Sequence, residues 1–443
     1  MQLQTGMQGD TASPAEIHAA ERRVHWRLAT RIVFRFAFVY FILYCLPFPF
    51  GWFHYTGYPR QKWTQLKRFV VPWAGKHILH LSHDITIFPN GSGDTTFNYV
   101  EVLCFLAAAV FVTLIWSWLD RRRPNYEKLQ QWLVLYIRLV LAATMISYGA
   151  VKVIQGQFST PNLARLLQPY GDSSPMGLLW TFMGSSRSYC IFTGAVEMLG
   201  GILLFVPRFA ILGSLVCLGA MSNIFMLNMS YDVPVKLYSF NLLLMSLLLL
   251  APEARRMADF FVFNRRIEPS ARPPLFKRRW MNRGILAFQI LMGVYGISWD
   301  LYSAQKSSDA FGDNAPKPAL YGVWVVDEFV VDGQAKPPLA TDETRWNKVL
   351  FDRFDFSIMS ASGSRRRFRS QLDLEKKTLA LARREDPGSR SIFTVEKSDA
   401  NHLTLEGQFD GHLVKAQAHQ GEEHNFLLLN RGFHWINEYP FNR

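Results

Sequence analysis

Hydrophobic positions in this chain fall into seven long runs, followed by a region where apolar and polar residues alternate. The runs cover residues 32–53, 99–119, 132–153, 189–207, 209–227, 237–252 and 284–301. Most approach the ~20 helical residues, at ~1.5 Å each, that a bilayer core requires. The run at 237–252 is short and extends back towards Val233. Pro47 and Pro49 fall late in the first run and predict a kinked or unwound end there. Beyond residue 321 the pattern changes to period two. Strands are expected at 323–331, 348–352, 355–359, 366–372, 378–382, 391–395, 403–409, 413–418 and 425–430. So many short strands in ~120 residues predict a small antiparallel β-barrel.

The expected fold is therefore mixed: a polytopic α-helical membrane bundle of about seven transmembrane helices, then a small antiparallel β-barrel. The chain divides into a polar segment at 1–31, two spanning helices joined by a long loop at 32–131, and a four-helix core at 132–252. A basic linker at 253–283, a seventh helix at 284–302 and the barrel at 321–443 complete it. Residues 54–98 read as an outer loop, and so does the Gly-, Pro- and Ser-rich stretch between the third and fourth runs. No small-residue cleavage signal follows the first run, which reads as an uncleaved anchor.

Composition agrees. Hydrophobic residues make up 49% of the 443, yet the mean hydropathy is only +0.03, as expected for a chain part membrane and part water-exposed. The net charge of +13 would suggest nucleic acid for a soluble protein. Here basic loops facing an anionic leaflet explain it, and no nucleic-acid partner is expected. Lys and Arg are twice as frequent in the segments that an N-inside orientation leaves inside. Seven crossings then put the C-terminal domain outside a bacterial inner (plasma) membrane. Cys45, Cys104, Cys190 and Cys217 all lie in or beside apolar runs, with no Cys-x-x-Cys. That argues against a thiol relay or a thiolate metal site.

Charges inside apolar runs cost ~2.5–3.5 kcal/mol or more and mark candidate sites. Arg138 and Lys152 are 14 residues apart, so they share a helix face ~40° wide at depths ~21 Å apart. Glu197 falls between them in depth, and the three could form a ladder that binds a ligand or relays protons. The alternative is an ion pair that fixes helix packing. Tyr148, Asn223 and Asn241 are polar groups for hydrogen bonding between helices or for lining a pocket, and Gly194, Gly200 and Gly201 permit close helix contact. His77, His80 and His83, with Asp84, have a metal-like spacing if helical, although an interfacial amphipathic helix explains them as well. Asp94 either caps the helix beginning near Thr96 or lines the outer mouth of the bundle with Glu101. No dinucleotide or phosphate-loop fingerprint and no Ser-His-Asp constellation is visible.

Arg138-Leu139, Gly149-Ala150-Val151-Lys152, Glu197-Met198-Leu199-Gly200-Gly201 and the tight Pro207-Arg208 link make the 132–252 core resemble the DoxX family of small four-helix membrane proteins. That resemblance implies a quinone as possible cofactor or ligand, since the family includes a membrane subunit associated with thiosulfate:quinone oxidoreduction. Gly322-Val323-Trp324 and the late Arg431 look like the lipocalin pattern, which implies a Trp324–Arg431 cation–π contact closing the barrel. The barrel interior would hold a small hydrophobic ligand or be filled by its own side chains. The aromatic tail 431–443 is expected to fold back onto barrel or bundle. Three functions fit: binding of a hydrophobic or quinone-like ligand or assembly with a partner membrane protein, a subunit of a quinone-linked oxidoreductase, or a small-molecule transporter. The first is preferred, because nothing forms a catalytic constellation.

Overall fold

The computed structural model describes residues 25–49, 57–87, 90–267, 274–383, 390–421 and 426–442. Arg22, Arg23, Arg272, Asn425 and the end of the first apolar run from Phe50 lie outside the described residues. The helices are α1 (Leu28–Cys45), α2 (Gly57–His77), α3 (Thr96–Leu119), α4 (Glu127–Val153), α5 (Pro175–Ser185), α6 (Arg187–Phe205), α7 (Ala210–Ser230), α8 (Lys236–Leu250), α9 (Ala254–Phe261) and α10 (Arg279–Phe311). Among the described residues, seven segments are long and apolar enough to cross a membrane: α1, α3, α4, α6, Pro207–Ser230, Lys236–Phe261 and α10. The protein is an integral membrane protein. α1 stops at Cys45, one residue before Leu46, which is extended and precedes Pro47.

Two expected loops contain helix. Residues 57–77 form α2, although Pro72 lies inside it. A stripe at Trp63, Lys67, Val71 and Ala74 runs along its side towards α3. Trp63 stacks on Phe105 at 6.2 Å, Lys67 pairs with Glu101 at 2.6 Å, and Val71 and Ala74 pack with Val100. The stretch after α4 holds a single turn, Leu163–Leu166, and α5, which Ser174 caps by accepting from the Gly177 N–H.

The strands are β1 (Gly322–Val331), β2 (Gln334–Ala335), β3 (Trp346–Phe351), β4 (Phe356–Ser360), β5 (Arg365–Asp373), β6 (Thr378–Arg383), β7 (Arg390–Lys397), β8 (His402–Phe409) and β9 (His412–Gln420). From β3 to β9 each pairs with the next, and β9 pairs back to β1, so eight antiparallel strands close a barrel with β2 as a hairpin extension. The strand expected at 425–430 is not formed. Closure uses β9, and Leu427–Asn430 is a helical turn. Asp410-Gly411 joins β8 to β9 with both residues at positive φ, the geometry a two-residue hairpin needs.

The chain divides into two compact units. One comprises Met1–Met145, Gly200–Met229 and Val233–Gly293. The other comprises Ile146–Leu199, Ser230–Asp232 and Val294–Arg443. The division passes through α4, α6 and α10. In the second unit the barrel interior is full: Trp324, Phe329, Trp346, Phe356, Phe393 and Phe409 are all buried in one cluster. Trp346 lies 5.2–5.7 Å from the rings of Phe329, Phe393 and Phe409. The barrel interior is lined by these large side chains, packed ring against ring around Trp346.

Candidate functional site

Lys152 lies in the last turn of α4 and Glu197 midway along α6. Their approach depends on two glycines. A Cβ on Gly194 would lie 2.7 Å from the Gly149 carbonyl oxygen and 2.8 Å from the Lys152 Cβ. A Cβ on Gly149 would lie 2.5 Å from the Met198 Cγ. Only hydrogen at both positions lets α4 and α6 cross this closely. The crossing brings the Lys152 Nζ within 2.5 Å of a Glu197 carboxylate oxygen, with the two residues 6% and 2% exposed. The second oxygen, Oε2, has no hydrogen-bond partner among the described residues. The Lys152 ammonium also lies 6.0 Å from the centre of the Tyr148 ring. A buried carboxylate with one oxygen on an ammonium and one unclaimed can accept a proton or a hydrogen bond from a ligand hydroxyl.

Arg138 belongs to the other unit, where it donates to the Gln289 side chain. Gln289 is 2% exposed. Asp94 caps a helix, but a different one from that expected. Its carboxylate accepts from the backbone N–H groups of Lys236 and Leu237 at 2.8 and 3.0 Å, at the start of α8. The helix at Thr96 is capped by Thr95 and Asn98 instead. Glu101 is engaged by Lys67 on α2.

The histidine series is not helical throughout. His77 is the last residue of α2, and His80 takes a left-handed φ of 51° that turns the chain. Among the described residues no three His, Cys, Asp or Glu side chains come together to hold a metal. In the barrel, Gly322 enters β1 at φ 146°, a backbone that favours glycine. Trp324 is buried, and its indole donates to the Leu320 carbonyl at 2.9 Å. The expected Trp324–Arg431 contact is replaced: the Arg431 guanidinium lies 4.1 Å over the Phe441 ring and donates to Asn437. Within the tail, Trp435 is 90% exposed and its ring lies 4.9 Å from that of Phe433.

Sequence reasoning missed two arginines. Arg345, 2% exposed, donates to four backbone carbonyls at the start of β3, those of Lys336, Trp346, Val326 and Asp327. Arg35, inside the first apolar run and 1% exposed, donates to the Tyr126 hydroxyl, Ser117 and the Asp120 carbonyl. A charge inside an apolar run was the signal for Arg35. Nothing in the local pattern distinguishes Arg345.

No family model matches the chain, and no solved structure matches it. Over 126 residues it is 34% identical to the uncharacterized protein YwoB of Bacillus subtilis (strain 168), covering 28% of this chain and 79% of that relative. Through that segment the chain belongs to the family of YwoB.

Proposed function

We propose that this protein is a DoxX-like membrane protein that binds a small hydrophobic, quinone-like ligand at the Lys152–Glu197 pair. The observation that carries this reading is the unclaimed Glu197 Oε2, buried beside the Lys152 ammonium. An ion pair retained only for packing has no need of a free acceptor, because an unmet buried polar atom costs ~1–3 kcal/mol. A ligand hydroxyl donating to it would remove that cost. In this reading the N-terminus faces the cytoplasm of a bacterial cell and the barrel lies outside the plasma membrane, as the Lys and Arg bias favours.

The test is native mass spectrometry, with lipid extraction, of protein purified in mild detergent, wild type beside Glu197→Gln. A small molecule held by the wild type and lost from a folded Glu197→Gln variant is the expected result. Only bulk lipid on both forms, with equal thermal stability, would remove the pair as a ligand site.

A further inference from the structure

The second compact unit contains a cleft of about 650 Å³ that the Lys152–Glu197 site does not involve. Its walls are the segment 157–166, α5, the end of α10 and the β3–β4 turn at 352–355. The volume is that of a small-molecule site.

Acids and bases both line this cleft, but they are not equally available. Asp313 accepts from the Thr160 N–H and hydroxyl at 2.9–3.0 Å and pairs with Arg353 at 3.3 Å. Asp352 accepts from the N–H groups of Leu163 and Arg353 at 3.0 and 2.9 Å. These two carboxylates are thus occupied in fastening the 159–166 segment. Arg165 projects from that segment and is bonded through Nη1 to Gln168. Beside it, strand register extends a basic face. Val323, Leu350, Ser357 and Arg367 form one row across β1, β3, β4 and β5, and Met359 and Arg365 form the next. Leu163 and Ala164 pack on Val323 and Leu350, with Met359 against the same cluster. This is therefore the barrel's outer face, and Arg365 and Arg367 continue it past the turn that carries Arg165. The Arg365 guanidinium is held below its usual range by burial and then by the charges of Arg367 and Arg165, with Asp355 opposing. Among the described residues none of the three arginines has a carboxylate in ion-pair contact.

Three guanidinium groups near one another, with Asp355 opposing Arg365 but no carboxylate in ion-pair contact with any of the three, suit a phosphate, whose oxygens accept several N–H groups at once. The mouth adds an apolar element. Phe311 and Phe354 are 76% and 51% exposed with rings 6.4 Å apart, and Trp180 lies in the wall. We propose that this cleft, together with the barrel's outer face beside it, binds a phosphate-bearing amphiphile, with its apolar part on Trp180, Phe311 and Phe354 in the cleft and its phosphate on Arg165 at the cleft and on Arg365 and Arg367 of the adjoining face.

The test uses the full chain in neutral detergent and three probes: a short-chain phosphatidic acid, a diacylglycerol with the same chains, and inorganic phosphate. Binding is read by calorimetry and by thermal shift. The phosphatidic acid should bind and raise the Tm, and the diacylglycerol should not. Arg367→Gln, at an exposed side chain with no ion-pair partner, should keep the unliganded Tm and weaken binding at least tenfold. Phe354→Ser should weaken the phosphatidic acid but not inorganic phosphate. Phosphatidic acid binding alone identifies a lipid source. Inorganic phosphate binding as tightly would show that the apolar wall contributes nothing and would overturn the amphiphile. Equal binding of the diacylglycerol, no binding of either phosphate probe, or binding unchanged by Arg367→Gln would overturn the proposal.

Discussion

At the scale of single residues, the buried Lys152–Glu197 pair and the Asp94 cap make opposite demands. Removing one partner of a buried ion pair strands the other charge. Lys152→Met is therefore expected to lower stability by about 3 kcal/mol, while Lys152→Met with Glu197→Leu should recover most of the loss. Thermal unfolding in detergent decides between this and a pair that contributes nothing. Asp94 acts across the chain on the first N–H groups of α8. Asp94→Ala should cost about 1 kcal/mol and Asp94→Asn much less, since an amide oxygen still caps. Equal loss in both would point to the Lys236 ammonium, 3.8 Å away, as the important partner.

At the scale of elements, the crossing of α4 and α6 is a backbone-to-backbone contact. Gly194→Ala should push the helices apart and cost about 1–3 kcal/mol, as overpacking does. Gly219, on α7, has nothing within 4 Å of where a Cβ would stand. Gly219→Ala should be neutral or stabilise by up to about 1 kcal/mol through helix propensity. A matched pair of Tm measurements tests both, and a Gly194→Ala protein as stable as Gly219→Ala would refute the close crossing. Gly194 was visible in the sequence as a packing signal, and Gly149 only as part of the Gly-x-x-Lys motif. The α2 stripe was visible too, since 63, 67, 71 and 74 are spaced for one helix face, but the Trp and Pro content of that stretch reads as loop. His77, His80 and His83 failed for the converse reason: their spacing presumed a helix that ends at the first of them.

At the scale of the whole molecule, pH should act on the barrel with two signs. Asp332 is held below the usual carboxylate range by His412 and the Leu413 N–H, and Asp342 by the Thr344 hydroxyl and N–H. Asp373 and Asp399 are held down chiefly by the backbone N–H groups of Lys376 and Asn401. A lowered pKa stabilises the fold above the unfolded value, ~3.9, and the contribution is lost as pH falls through the folded one. Burial instead raises Asp352. Its contribution is present below the unfolded value and is lost as pH rises through the folded one. Hydrogen exchange at pH 7, 5 and 3, read as protection factors, should show the barrel turns opening at pH 3, while the Leu163 amide loses protection at a higher pH than the turns do, because burial raises Asp352 and its ionised carboxylate is what accepts from that amide. Turns and Leu163 amide moving together would contradict these assignments.

The sequence by itself determined the seven apolar helices, eight of the strands and the candidate pair Lys152 and Glu197, because hydropathy period and the cost of an intramembrane charge are local properties of the chain. It also marked Gly194, one of the two glycines that let that pair meet, as a packing position. Which partner each polar group takes was decided only in three dimensions. Asp94 caps α8 rather than α3, Arg138 turns to Gln289, and Arg431 turns to Phe441 instead of Trp324. A hydrogen bond or ion pair needs a few ångströms of proximity, and for residues tens or hundreds of positions apart that proximity is set by packing rather than by spacing. How the barrel's inward side chains pack was open for the same reason. Alternation says which side chains point inward, and only the closed geometry says whether they leave space.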